Sequence, residues 1–292
     1  MEIYTYHDGK EEIYRIFETK IDFDNLTINN ITDDYNGVDV YNNKHHTTSE
    51  QFNMSIQNNK IVAVSASNTN DFHHNSYSFQ FEGNNLLKEQ ITVKNTESIS
   101  SNENNISIDY SYSKNNTAIS CGYNGGVETK QYIINDLGNI LNYEDSSYTY
   151  EFAYDKYENI ISAFENDSHF KERLKNGINY TYNNIEYDGN KIMSAQIAST
   201  NNEYPTEYVT YKYNTDGDLI ELKINNHHYY GNVRIVFSYQ TFNQDQYDSI
   251  LALRYSDFSK YNLLSFFQIF ASSQEAEFPN YGFGYYYNFV KQ

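Results

Sequence analysis

The feature that most constrains this chain is a run of alternating residues that breaks at an Asn- or Asp-bearing corner and then returns. The stretch from Tyr148 to Phe164 shows it best. Tyr148, Tyr150, Phe152 and Tyr154 fall on one face, and Thr149, Glu151 and Ala153 on the other. A period of two marks a half-buried strand. Asp155 to Asn159 forms the corner, and Ile160 to Phe164 is the returning strand.

The same hairpin recurs along the chain. Phe52, Met54 and Ile56 alternate before Asn58-Asn59, and Ile61 to Ala66 returns; Tyr77–Phe81 and Leu86–Val93 flank Glu82 to Asn85. Ile106–Tyr112 and Thr117–Gly122 flank Lys114-Asn115-Asn116, and Lys130–Ile134 and Ile140–Tyr143 flank residues 135–139. Asn179–Tyr187 and Ile192–Ala198 flank Asp188-Gly189-Asn190, and Tyr208–Tyr213 and Leu219–Ile224 flank Thr215 to Asp218. Asp-Gly between alternating runs is a strong hairpin signal. Val233–Tyr239 and Ser249–Arg254 read as a last pair around a polar loop. With only 13 glycines and 2 prolines in 292 residues, Asn and Asp must make most of the turns.

Short connections pair each strand with its neighbour, so the expected fold is all-β: an antiparallel up-and-down meander of about 14 to 18 strands. A sheet this wide twists and curls, and rolling it into a barrel-like single domain protects its edges. The expected organisation is one domain over residues 1–292: an irregular part at 1–48, repeated hairpins at 49–255, and a helix-like segment with a final strand at 256–292. Within the first part Ile13 to Ile21 reads as a strand, and Asp33 to Gly37 and Tyr41 to Lys44 as polar turns; Ser98 to Asn105 is a further polar tip.

Two stretches break the alternation. In Asn166 to Gly177, Asp167 or Ser168 caps, Phe170 and Leu174 stand at i,i+4, and Asn176-Gly177 terminates, which predicts a short helix. Phe258, Tyr261, Leu264 and Phe267 recur at helical spacing within Ser256 to Phe270, although Leu263 to Phe270 also reads as a buried strand. Gly282 to Phe289 is a closing tyrosine-rich strand.

The apolar material is mostly aromatic: 32 Tyr and 18 Phe, with no Trp. That content is too high for a disordered chain. The net charge of −19 opposes nucleic acid, whose phosphates need a basic surface. It leaves room for a cation, a basic partner or a neutral ligand. Cys121 is the single cysteine, so no internal disulfide forms. No stretch approaches the ~18 apolar residues of a spanning helix, and none reads as a leader. Spanning β-strands need about 9 to 11 residues and a lipid-facing apolar stripe. The runs here are mostly shorter and put Glu, Lys and Asn outward, which predicts a water-facing barrel.

The corners carry a resemblance. Tyr211-Lys212-Tyr213-Asn214-Thr215-Asp216-Gly217-Asp218-Leu219, Asn135-Asp136-Leu137-Gly138-Asn139-Ile140 and Tyr154-Asp155-Lys156-Tyr157-Glu158-Asn159-Ile160 follow a Y-x-Y-D-x-x-G-x-I grammar, with Glu158 where glycine is usual. This is similar to the tyrosine-aspartate repeats of bacterial secreted proteins. Over most of residues 50 to 290 the chain resembles a family of secreted lipoproteins from gut-type Gram-negative bacteria with a porin-like fold. The resemblance implies that fold, an extracytoplasmic place (periplasm or outer-membrane surface), and a soluble domain tethered by a lipid anchor lying outside this chain. It implies no activity.

No catalytic motif is present: there is no G-x-S-x-G, no H-E-x-x-H and no phosphate-cradling glycine loop. No cofactor is expected. The pairs His45-His46, His73-His74 and His227-His228 invite a metal, but neighbours on a strand face opposite ways and a pair cannot chelate alone, so no metal site is predicted. Asn214, Asp216, Asp218 and Glu221 carry calcium-type groups at a spacing that fits a hairpin turn instead.

The better candidate is the aromatic-polar surface. Tyr148, Tyr150, Tyr154, Tyr208, Tyr211, Tyr213, Tyr229 and Tyr230 offer rings for stacking on sugars, with Tyr285, Tyr286 and Tyr287 beside them, while asparagines bond to hydroxyls. The alternative is that these rings are the inner packing of the sheet. The function expected is a non-catalytic envelope binding or scaffold protein with an oligosaccharide or peptide ligand. The rivals are a glycan hydrolase using a carboxylate pair and a module whose open sheet edge accepts a partner strand.

Overall fold

The computed structural model describes residues 2–258, apart from 8–9, 36–45, 69–72, 96–102, 114–117, 124–128, 137–138, 145–147, 168–176, 203, 228–230 and 257. The described residues form 18 strands and one helix. Every strand pairs antiparallel with the one before it and the one after it, from β1 (Glu2–His7) to β18 (Gly231–Val236). The pairing also returns on itself. β1 lies against β2 (Lys10–Asp22) through Ile3↔Arg15 and against β18 through Ile3↔Ile235. Among the described residues each strand therefore has a neighbour on both sides, and the expected barrel-like meander is the fold observed. An edge open to a partner strand, the rival reading, has no place among these strands.

Alternation sets which side is packed. In β14 (Ile178–Asp188) Ile178, Tyr180 and Tyr182 are buried and Asn179, Thr181 and Asn183 are exposed. In β16 (Glu207–Tyr213) Glu207, Val209 and Tyr211 are buried and Tyr208, Thr210 and Lys212 exposed. The outward positions of these two strands thus carry mostly polar side chains. Several strands are longer than the sequence suggested, at 13 residues in β2 and 12 in β4 (His46–Gln57). Their ends are polar and gain strand character from pairing, not from apolar alternation.

A ring of this many strands encloses more room than a small barrel's inner side chains fill. Here the interior divides into two clusters. One, centred on Ile21, Ile28, Ile61 and Ile108, draws on β2 to β11 (Ile140–Glu144). The other, centred on Ile192, Ile197, Leu222 and Ile235, draws on β13 (Ile160–Asp167) to β18 and on Ile3 of β1. The helix α1 (Gln244–Leu251) adds Ile250 to the first cluster, and Leu253 and Phe258 follow it there.

Four parts of the chain differ from the expectation. The described residues among 1–48 are not irregular: they hold β1, β2, β3 (Thr27–Asp34) and the start of β4. β3 reads T-I-N-N-I-T-D-D, too polar to show a stripe, and Asp33 and Asp34 belong to it instead of to a turn. It is a strand because β2 and β4 pair with it on both sides and bury Ile28 completely. Glu103 to Asn105 likewise belong to β8 (Glu103–Tyr112), and Asn166 and Asp167 to β13. Finally, Ser249 to Arg254 is no strand. Asn243 caps α1 with its side chain on the Gln246 N–H at 3.0 Å, and the Gln246 side chain returns to the Asn243 N–H at 3.0 Å. The partner expected of Ser249–Arg254 is supplied to β18 by β1. Residues 168–176 of the helix expected at 166–177, most of Ser256–Phe270 and the strand at 282–289 lie outside the described residues.

The seam between β18 and β1 is tied on its outer side. Arg234 donates from Nε to Glu221 at 2.7 Å and from Nη1 to Glu11 at 3.3 Å, with its guanidinium 5.1 Å over the Tyr4 ring. These groups are partly solvated, so the pairs are worth less than a buried network. Arg234→Ala is expected to lower stability by about 1 kcal/mol. High salt, which screens the wild-type pairs, should narrow the gap between the two urea midpoints.

A candidate binding face on the outer wall

The hairpin corners show how Asn and Asp replace glycine. Asn58 and Asn59 both adopt left-handed φ, 50° and 59°, as a two-residue hairpin turn demands. At the longer corners the first Asx side chain organises the loop. Asp155 Oδ1 accepts the Tyr157 N–H at 2.8 Å and the Asn159 N–H at 2.9 Å; Asn214 Oδ1 accepts those of Asp216 at 3.0 Å and Asp218 at 2.8 Å. Of the groups that superficially suggested a calcium loop, Asn214 Oδ1 is taken by these N–H donors, Asp218 Oδ2 accepts Asn214 Nδ2 at 2.9 Å, and Glu221 Oε2 accepts Arg234 Nε. The fourth position then turns left-handed, at φ 98° for Gly217 and 66° for Glu158. Glu158 tolerates this while its carboxylate receives Asn135 Nδ2 at 2.7 Å and Asn139 Nδ2 at 2.8 Å, joining two successive corners.

The tyrosine before each corner has a repeated role. Tyr154 Oη donates to the Ile140 carbonyl at 2.8 Å, Tyr213 to Ile192 at 3.1 Å, and Tyr112 to Leu86 at 3.0 Å. Each reaches the start of the returning strand in the previous hairpin. Burial pushes all three hydroxyls well above the usual tyrosine range, so they remain donors. Tyr154 and Tyr213 are therefore lined against the second interior cluster, Tyr150 against the first, and Tyr211 is 3% exposed. Tyr208 stands on the opposite face, 45% exposed. The tyrosines chosen from sequence are thus not gathered on one surface. Tyr148 lies in β12 (Tyr148–Tyr154), with its side chain outside the described residues, as are Tyr229, Tyr230 and Tyr285 to Tyr287.

Of the histidines, His227 is buried, and the side chains of His45, His46, His73, His74 and His228 lie outside the described residues. Among the described residues no three His, Cys, Asp or Glu side chains gather as a metal would require.

What sequence reasoning missed is the register around Tyr208. Asn183 of β14 pairs with Gln196 of β15 (Lys191–Ser199), Gln196 with Tyr208, and Tyr208 with Asn225 of β17 (Leu219–His227). One level row thus crosses four strands, with an exposed ring between amide side chains. At each end it meets a bulge whose next residue is a left-handed asparagine: Asn184 at φ 50° and Asn226 at φ 63°. Asn184 Nδ2 donates to Gln196 Oε1 at 2.9 Å, which holds that amide in the row. Bulges bend a strand and re-aim side chains, and they concentrate beside working surfaces. The local signal was the pair of Asn-Asn steps inside strands, at 183–184 and 225–226. A face of this kind stacks a ring and offers paired donors and acceptors.

No protein-family model matches the chain, and no curated protein matches it. Among solved structures it overlaps with a porin-like protein from Bacteroides uniformis, at TM-score 0.35 and 10% identity, over 75% of this chain and 86% of that one. A porin-like protein from Bacteroides vulgatus gives TM-score 0.31 and 10% identity, over 82% and 98%. A chain of the TcdB2-TccC3-Cdc42 structure gives 0.28 and 10%, over 76% of this chain and 16% of that one. Two of the three are described as porin-like, and neither description mentions a lipoprotein or a Tyr-Asp repeat.

Proposed function

We propose that this is a non-catalytic binding or scaffold protein of the bacterial cell envelope that holds an oligosaccharide on the outer wall of β14 to β17. The row Asn183, Gln196, Tyr208 and Asn225, flanked by two left-handed asparagines, is the observation that carries the reading. A tyrosine ring covers the apolar face of a sugar while amides meet its hydroxyls in both directions. The acidic surface suits a neutral glycan better than a phosphorylated or sulfated one. The extracytoplasmic place is proposed on the resemblance of most of residues 50 to 290 to secreted envelope lipoproteins.

The test is a thermal-shift screen against neutral and acidic oligosaccharides, followed by titration of the best one. Tyr208→Ala is expected to weaken binding by roughly tenfold to a hundredfold, the loss of about 1.5 to 3 kcal/mol of ring burial. Because Tyr208 is exposed, the unliganded melting temperature should stay within a degree or two. Equal affinity in wild type and variant would remove this face from the proposal. Release of new reducing ends during the titration would put a hydrolase in its place.

A further inference from the structure

The described residues after β18 do not belong to the wall. The ring of strand pairs closes through β1 without them, so among the described residues the arm from Gln244 to Phe258 supplies no ladder hydrogen bond. It lies instead against the end of the barrel and reaches inside. Asn59 Nδ2 donates to Asp245 at 3.0 Å, and the Ile61 N–H to Ser249 Oγ at 2.9 Å. Within the arm, Phe258 is fully buried and meets three rings edge-on: Phe52 at 5.6 Å, Tyr77 at 5.0 Å and Phe79 at 6.0 Å. Its N–H donates to Glu89 Oε1 at 2.9 Å, while Glu89 Oε2 accepts the Tyr110 hydroxyl at 2.7 Å.

Glu89 is the informative residue. It stands on the inner face of β7 (Asn85–Asn95) with none of its surface exposed, in register with Phe79 and Ile108 inside the first cluster. A carboxylate in such a place is costly unless donors converge on it, and an apolar residue there would pack the wall without that cost. Here one donor comes from the neighbouring strand and another from the arm.

We propose that the inner face of β4 to β8 is a peptide-docking site that takes an aromatic side chain on three rings and its backbone N–H on Glu89. Its occupant is the chain's own arm, which can withdraw while the strand ring stays intact. The site is separate from the outer face around Tyr208 and stands or falls without it.

Cys121 reports on the arm. It lies opposite Tyr110 in the register of β8 with β9 (Ala118–Tyr123) and is 3% exposed. In the full-length protein under native conditions, its alkylation rate is compared among wild type, Phe258→Ala and Glu89→Leu. The first variant removes the plug and leaves the wall; the second keeps an apolar volume in the wall and removes the acceptor. Both are expected to speed alkylation roughly tenfold or more while the far-UV strand signal is retained, as local opening requires. An unchanged rate in either variant overturns the proposal. So does loss of the strand signal in the Phe258→Ala protein, which would make the arm an inseparable part of the core.

Discussion

Leu222→Ala is expected to lower the free energy of unfolding by about 3 kcal/mol, within the 2 to 5 kcal/mol usual for emptying a packed leucine site. Leu222 is completely buried at the centre of the second cluster and sits in register with Tyr211 on one side and Ile235 on the other. Strands hydrogen-bonded on both sides cannot close readily around the vacated volume, so most of the cavity remains. The two interior clusters share one ring of strand pairs. Urea should therefore expose Cys121 in the first cluster at the same lowered midpoint that removes the strand signal. Two separate midpoints would show that the clusters unfold as two units, against the single domain expected from sequence.

Asp155→Ala should cost about 2 kcal/mol, although the residue is only partly buried. Its carboxylate accepts Tyr157 N–H, Asn159 N–H, Asn159 Nδ2 at 3.0 Å and Tyr187 Oη at 2.8 Å, and bonds to a charged acceptor are the stronger kind. Asn135 and Asn214 stand at the same place in their own corners and accept backbone N–H groups with a neutral oxygen. Asp155→Asn should thus keep the corner and lose only the charge-assisted share. Burial alone would raise the Asp155 carboxyl, but the donors from Asn159, Tyr187 and Tyr157 outweigh it and hold it below its ordinary value of 3.8. A folded value depressed in this way stabilises the protein above the unfolded value. The contribution disappears as the pH falls through the folded one. The gap between wild type and Asp155→Asn, read from urea midpoints, should be open at about pH 6 and close by about pH 2. A gap that persisted in acid would mean the carboxylate's charge is not what holds the corner.

Much of the wall was legible in the chain because hairpins are local. Asn58-Asn59, Asp188-Gly189 and the Asp155 corner sit between alternating runs, and all three turn where expected. The failures share a cause. β3 has no apolar stripe and is a strand through its neighbours; β1 takes part in closure with a strand more than 220 residues away. Neither fact is written within a window of ten residues. The helix α1 did have a local signal, the Asn243-x-x-Gln246 box, which the apolar run around Ile250 and Leu251 masked as a strand. Among the eight tyrosines, sequence spacing could place Tyr208 and Tyr211 on opposite faces but could not tell which face was wet.

By itself the sequence determined the strand grammar, the corner chemistry, the antiparallel order and the polar character of one face, because each depends on residues a few positions apart. Tertiary structure alone decided that the ring closes, that most of the turn tyrosines point inward to lock the preceding hairpin, and that Glu89 meets Phe258 across 169 positions. It also brought Asn183, Gln196, Tyr208 and Asn225 to one level. Register between strands is set by bulges and by burial on the shared inner face, and a shift of one residue would have turned every one of those side chains the other way.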